Sequence, residues 1–218
     1  MTNRIVHVSI RDHALTPAEA DVRVVVLPDR SDAGTEVRGR FVGPRCLFAE
    51  TIEVAYPLRR AGEEYRVVIP EPSFWDTSSP HLYLVHVELW QDGTKCDEVR
   101  LRHGLRGLRG TAKGLMVNGA RQTLRGRVVS SFSEDEARRL RLDGVNLLLA
   151  PSQEVGVWEI ADRVGFFVVG TGMDEALDEH PSHLGWLAPG EFEVREGRVF
   201  APWCDESLGE VDGASSRT

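Results

Sequence analysis

The sequence predicts an α and β chain in two parts, an antiparallel β-sandwich followed by a parallel βα unit. Three observations predict it. Residues 1–108 read as short alternating or β-branched runs separated by Pro, Gly and Asp. After Gly126 the apolar period changes from two to that of a helix, and helical stretches alternate with short apolar runs. A chain of 218 residues is long enough to give each part a core.

In the first part Val22–Leu27, Glu36–Phe41, Thr51–Tyr56 and Tyr65–Ile69 read as strands. The clearest is Tyr83–Trp90, where Tyr83, Val85, Val87 and Leu89 share one face and Leu84, His86, Glu88 and Trp90 the other. Trp90, on the outward face, suits an interface anchor or a ligand platform. Asp92-Gly93 supplies a tight hairpin into Lys95–Leu101. Strands at this spacing make an antiparallel sandwich.

In the second part Gln122–Val129 gives a first strand. Ser133 to Glu136 has capping-box spacing, flanked by Phe132 and Ala137 as a hydrophobic staple. The helix they open runs to about Leu142, and Gly144 stops it. Val145–Ala150 is a strand apolar on both faces. Ser152 is placed to cap a second helix, in which Val155, Trp158, Ala161 and Val164 recur at helical spacing before Gly165. Phe166–Val169, a short helix at Asp174–Glu179, and Leu184–Ala188 complete a β-α-β-α-β-α-β order, the pattern of parallel strands with crossovers. Phe192–Phe200 reads as a hairpin around Glu196-Gly197, and Asp205–Thr218 as a frayed tail.

Composition narrows the partners. A net charge of −8 argues against nucleic acid or an anionic membrane. Arg100–Arg127 is basic without an acidic residue, but it carries no aromatic for base stacking, so its arginines read as solvated or paired with Glu134 and Asp135. No apolar run approaches the roughly 20 residues that span a bilayer, and the start has no secretory core, so a cytoplasmic location is expected. Cys46, Cys96 and Cys204 are odd in number and widely spaced, which implies no disulfide framework, although Cys46 and Cys96 could face each other across the sandwich. Without CxxC or HExxH spacing no metal site is expected, and His180 and His183 read as structural. No cofactor is expected.

A further pattern runs through Pro72, Trp75, Pro80, Leu82 and Tyr83, then Gly104-Leu105-Arg106, Val117-Asn118-Gly119 and Leu124-Arg125-Gly126. Arg139–Leu149, Trp158–Val169 and His180–Trp186 continue it. These motifs, in this order over about residues 20–191, resemble the junction where family 2 glycoside hydrolases, of the β-galactosidase, β-glucuronidase and β-mannosidase type, pass from an immunoglobulin-like sandwich into a catalytic TIM barrel. The resemblance implies an immunoglobulin-like β-sandwich over 1–110, a truncated half TIM barrel over 111–204, and a tail over 205–218. It also implies that Trp75 wedges between the two.

The family's chemistry needs two carboxylates about 5 Å apart, one as acid/base and one as nucleophile. In register with the family's acid/base stands Glu191, but Gly190 replaces the preceding Asn, and the strand that would carry the nucleophile lies beyond this chain's half barrel. Trp186 and Arg125 are the candidate substrate-binding residues; core packing is the competing reading for Trp186 and for Trp158. Val128-Val129-Ser130, Ala150-Pro151-Ser152 and Gly170-Thr171 replace the other substrate-contacting positions. The expectation is a non-catalytic binding or scaffold module with carbohydrate affinity. Two alternatives stand beside it: a retaining glycosidase completed in trans by an oligomeric mate or partner subunit, with Glu191 as acid/base, and a purely structural interaction protein. Half a barrel is expected to leave an apolar inner face open, to be covered by a homodimer mate, another protein or the Phe192–Phe200 hairpin.

Overall fold

A computed structural model describes residues 3–111, 114–131, 133–171, 174–186, 193–195 and 198–200. The chain divides into two compact units: Met1–Phe74 with His81–Leu105, and Trp75–Pro80 with Arg106–Thr218.

The first unit is a sandwich of two four-stranded antiparallel sheets. Its strands are β1 (Ile5–Leu15), β2 (Glu19–Pro28), β3 (Thr35–Arg45), β4 (Val54–Pro57), β5 (Arg59–Ala61), β6 (Glu64–Pro70), β7 (Leu82–Gln91) and β8 (Thr94–His103). One sheet has the order β1-β2-β6-β5 and the other β4-β3-β7-β8. Alternation decides the inner faces: Val22, Val24, Val67 and Ile69 from one sheet meet Phe41, Tyr83, Val85 and Val87 from the other, all essentially without exposure. Asp92 and Gly93 both take positive φ, 52° and 79°, as the tight β7–β8 hairpin requires. The long strand β1, absent from the sequence reading, pairs with β2 through two register shifts, and these interrupt its alternation. Cys46 and Cys96 are free thiols.

The second unit begins with a small sheet of β9 (Leu108–Thr111), β10 (Gly114–Val117) and β11 (Ala120–Arg121). Asn118 and Gly119 turn β10 into β11 at φ 50° and 82°. The main sheet is parallel, in the order β12 (Gly126–Val128), β13 (Leu147–Pro151), β14 (Phe167–Thr171), β15 (His183–Trp186). Helices α1 (Glu134–Leu142) and α2 (Val155–Val164) and a 3-10 turn at Glu175–Glu179 connect these strands. Ser133 and Glu136 form the predicted capping box. Phe132, the expected staple residue, lies outside the described residues.

Ser152 does not cap α2. The helix starts after Glu154 with no side-chain cap, and Ser152 is buried with its Oγ close to Gly170. Room beside a glycine wins over the capping position.

Leu148, Ala150 and Val168 pack on Ala137, Leu140, Trp158 and Ala161 on the helix side of the sheet. The alternate residues Leu147, Leu149, Phe167 and Val169 point the other way, and each is no more than 3% exposed. These four side chains of the expected open face are therefore buried within one copy. Part of the cover is Trp75, whose ring meets Phe167 edge-on at 5.5 Å. A last antiparallel pair, β16 (Glu193–Arg195) and β17 (Arg198–Phe200), brings β17 beside β12.

Candidate functional site

Parallel βα units concentrate chemistry at the carboxyl ends of their strands. In this sheet those ends are Val128–Ser130, Ala150–Ser152, Gly170–Thr171 and Trp186. None of these positions is acidic. Trp186 closes β15 and pairs with Gly170. Its indole lies so close to that glycine that a Cβ at position 170 would stand 2.4 Å from the ring. Any side chain at 170 would force this indole to shift.

Trp186 belongs to an aromatic group. Its ring lies 4.4 Å from that of His183 and 6.1 Å from that of Trp158, which is fully buried on α2. His183 Nδ1 pairs with Asp178 at 3.0 Å. Burial, the larger influence, holds the His183 imidazole below its ordinary pKa despite that carboxylate. Its Nε2 and the Trp158 Nε1 are both buried without a hydrogen-bond partner.

Below it Asp162, only 4% exposed, organises the entry to β15. Its carboxylate accepts from His180 Nδ1 at 2.6 Å and from the Ser182 amide at 3.1 Å. Its backbone carbonyl accepts from Trp75 Nε1 at 2.8 Å. Burial lowers the His180 pKa, but the Asp162 hydrogen bond and the charges of Asp162, Glu159 and Glu179 outweigh it and hold the group above the ordinary histidine value. The dyad sits at the amino end of β15 and fixes the turn there.

The other predicted residues fall elsewhere. Arg125 precedes β12, at the amino end of the sheet; its carbonyl accepts from the amides of Asn146 and Leu147. Its exposed side chain reaches over Gly144. Arg125 and Trp186 thus mark opposite ends of the strands and do not share a site. Glu191 lies outside the described residues, as do Gly190 and Cys204. Glu134 pairs with Arg138 and Arg163, both helical, at 2.8 and 2.9 Å rather than with the upstream arginine run. In that run Arg106 donates to the Pro181 carbonyl and lies over the Trp75 ring at 5.7 Å. Among the described residues no helix is long and apolar enough to cross a membrane.

Comparison with known proteins agrees with the motif pattern. Residues 3–106 match the sequence model of Glycosyl hydrolases family 2. No curated protein sequence matches the chain. In fold it resembles a β-glycosidase from Bacteroides vulgatus, with TM-score 0.68 at 16% identity over 85% of this chain and 29% of that one. It also resembles an FMN-binding β-glucuronidase from Facaelibacterium prausnitzii L2-6, with TM-score 0.63 at 14% identity over 85% and 35% of the two chains. A β-glucuronidase from Ruminococcus gnavus gives TM-score 0.63 at 18% identity, over 84% and 37%. The chain thus spans about a third of the length of these enzymes. In sequence over residues 3–106, and in fold beyond them, what it shares with family 2 glycosyl hydrolases is an immunoglobulin-like sandwich followed by half of the barrel.

Proposed function

We propose that this chain is a non-catalytic relative of family 2 glycosyl hydrolases that serves as a carbohydrate-binding or scaffold module. The observation that carries this reading is the Trp186 indole packed on Gly170, at one of the positions where the resemblance implies a substrate contact. Retaining hydrolysis needs two carboxylates about 5 Å apart, and among the described residues the ends of the four strands supply none. The half-buried Trp186 supports affinity without turnover: an indole face stacks on a sugar ring, and the buried Trp158 ring and the His183 ring packed against it hold it in place.

The reading is tested by thermal shift with β-linked glucuronide, galactoside and mannoside oligosaccharides. At least one raises the melting temperature, and Trp186→Ala removes the shift while leaving the folded spectrum intact. Glycans that shift nothing, or that shift Trp186→Ala equally, contradict it.

A further inference from the structure

The outer face of the β3-β7-β8 sheet carries three side chains whose ligand atoms converge. His86 and Glu88 are two residues apart on β7 and so project from the same face. Glu98, on β8, stands directly opposite Glu88 in the antiparallel register. His86 Nε2 lies 3.3 Å from Glu98 Oε2 and 3.8 Å from Glu88 Oε1. All three ligand atoms fall within 4.8 Å of one another.

Two like charges directly opposite each other on neighbouring strands destabilise a sheet unless something neutralises them. Here Lys95 does so. Its Nζ sits 2.8 Å from Glu98 Oε2 and 3.9 Å from Glu88 Oε1, against the same two oxygens that approach His86. The seat between the three groups is thus built for positive charge.

The remaining oxygens are held from outside. Trp90 Nε1 donates to Glu88 Oε2 at 3.0 Å, and Arg100 Nη2 donates to Glu98 Oε1 at 3.2 Å. Arg38 lies over the Trp90 ring at 4.3 Å and fixes the indole that makes the first of these bonds. Outer donors of this kind orient the inner oxygen of a ligating carboxylate. Bonds of about 2.0–2.2 Å to one nitrogen and two oxygens in a tetrahedral arrangement set the ligand atoms roughly 3.3–3.6 Å apart. The two distances from His86 Nε2 bracket that range.

We propose that His86, Glu88 and Glu98 form a binding site for a divalent transition-metal ion such as Zn²⁺ on the sandwich, with Lys95 as the built-in competitor that occupies the seat when the ion is absent. One imidazole and two carboxylates suit a borderline ion better than Mg²⁺, which prefers oxygen alone and gives up its water reluctantly. The lysine side chain is 43% exposed and has a flexible four-carbon stem, so it can leave toward solvent as the ion enters. Three protein ligands leave at least one position open to water. This inference stands apart from the carbohydrate reading and uses none of its residues.

The test is equilibrium dialysis of the metal-stripped full chain against Zn²⁺, with the total tryptophan emission, to which Trp90 contributes, followed in parallel. The expected result is saturable binding of one ion that changes the emission. His86→Asn should weaken it at least tenfold, and Glu98→Gln, at a half-exposed strand position, serves as the second variant should the first not fold. Lys95→Met should tighten binding, because it removes the competing cation. Absence of saturable binding, binding unaltered by His86→Asn or Glu98→Gln, or a Lys95→Met variant that binds more weakly overturns the site.

Discussion

At the scale of single residues, small side chains and buried charges decide what the second unit can do. Gly170 leaves space that Trp186 fills, and Asp162 ties His180, Ser182 and Trp75 to one helix. Because His180 is held above the usual histidine pKa in the folded chain, its imidazole binds a proton more tightly there than in the unfolded chain. The stability it contributes is complete below about pH 6.5 and is lost as pH rises through the raised value. His180→Gln removes that contribution, so the gap in melting temperature between wild type and variant should narrow from about pH 6 to about pH 8. A gap that is constant or widens across that range contradicts the dyad. Little of this was readable beforehand. The sequence shows His180 and Asp162 18 residues apart, and only the α2-to-β15 packing makes them partners.

At the scale of elements, local signals were the most legible. The predicted Asp92-Gly93 turn adopts the positive φ values that its residue types favour, and Asn118-Gly119, carried in the sequence only by the resemblance, does the same. The capping box at Ser133 forms as its spacing predicts, with the Glu136 amide donating to Ser133 Oγ at 3.3 Å and the Glu136 carboxylate accepting from the Ser133 amide. Ser133→Ala should therefore cost about 1 kcal/mol, read as a lower denaturant midpoint at unchanged slope. A variant as stable as wild type would mean that the cap contributes nothing. Elements whose cues are tertiary were missed or misplaced. Strand β1 hides behind its two register shifts, and Ser152 carries the right residue type for a cap but turns toward the space over Gly170. The His86, Glu88 and Glu98 grouping is invisible to motif spacing for the same reason: strand register, not sequence distance, brings Glu98 to Glu88.

At the scale of the whole molecule, period and order gave the architecture. Alternation of period two makes the sandwich, the change of period after Gly126 makes the parallel unit, and the ordered motifs give the family resemblance. The condition of the half barrel was not legible. Its inner face looked open because strand count alone says nothing about loops, yet Trp75, from a six-residue segment between two sandwich strands, lies against Phe167 and helps bury it. Among the described residues, what the four strands present at their carboxyl ends is apolar, hydroxylic or aromatic, with the Trp186 indole packed on Gly170. On the proposed reading the unit binds a sugar without cleaving it, because retaining hydrolysis passes through two steps and needs a pair of carboxylates. The most direct test is the release of 4-nitrophenol from its β-glucuronide, β-galactoside and β-mannoside by the purified chain alongside its Glu191→Gln variant. Both should release it at the rate of buffer alone; turnover by the wild-type chain that the variant loses would contradict the account.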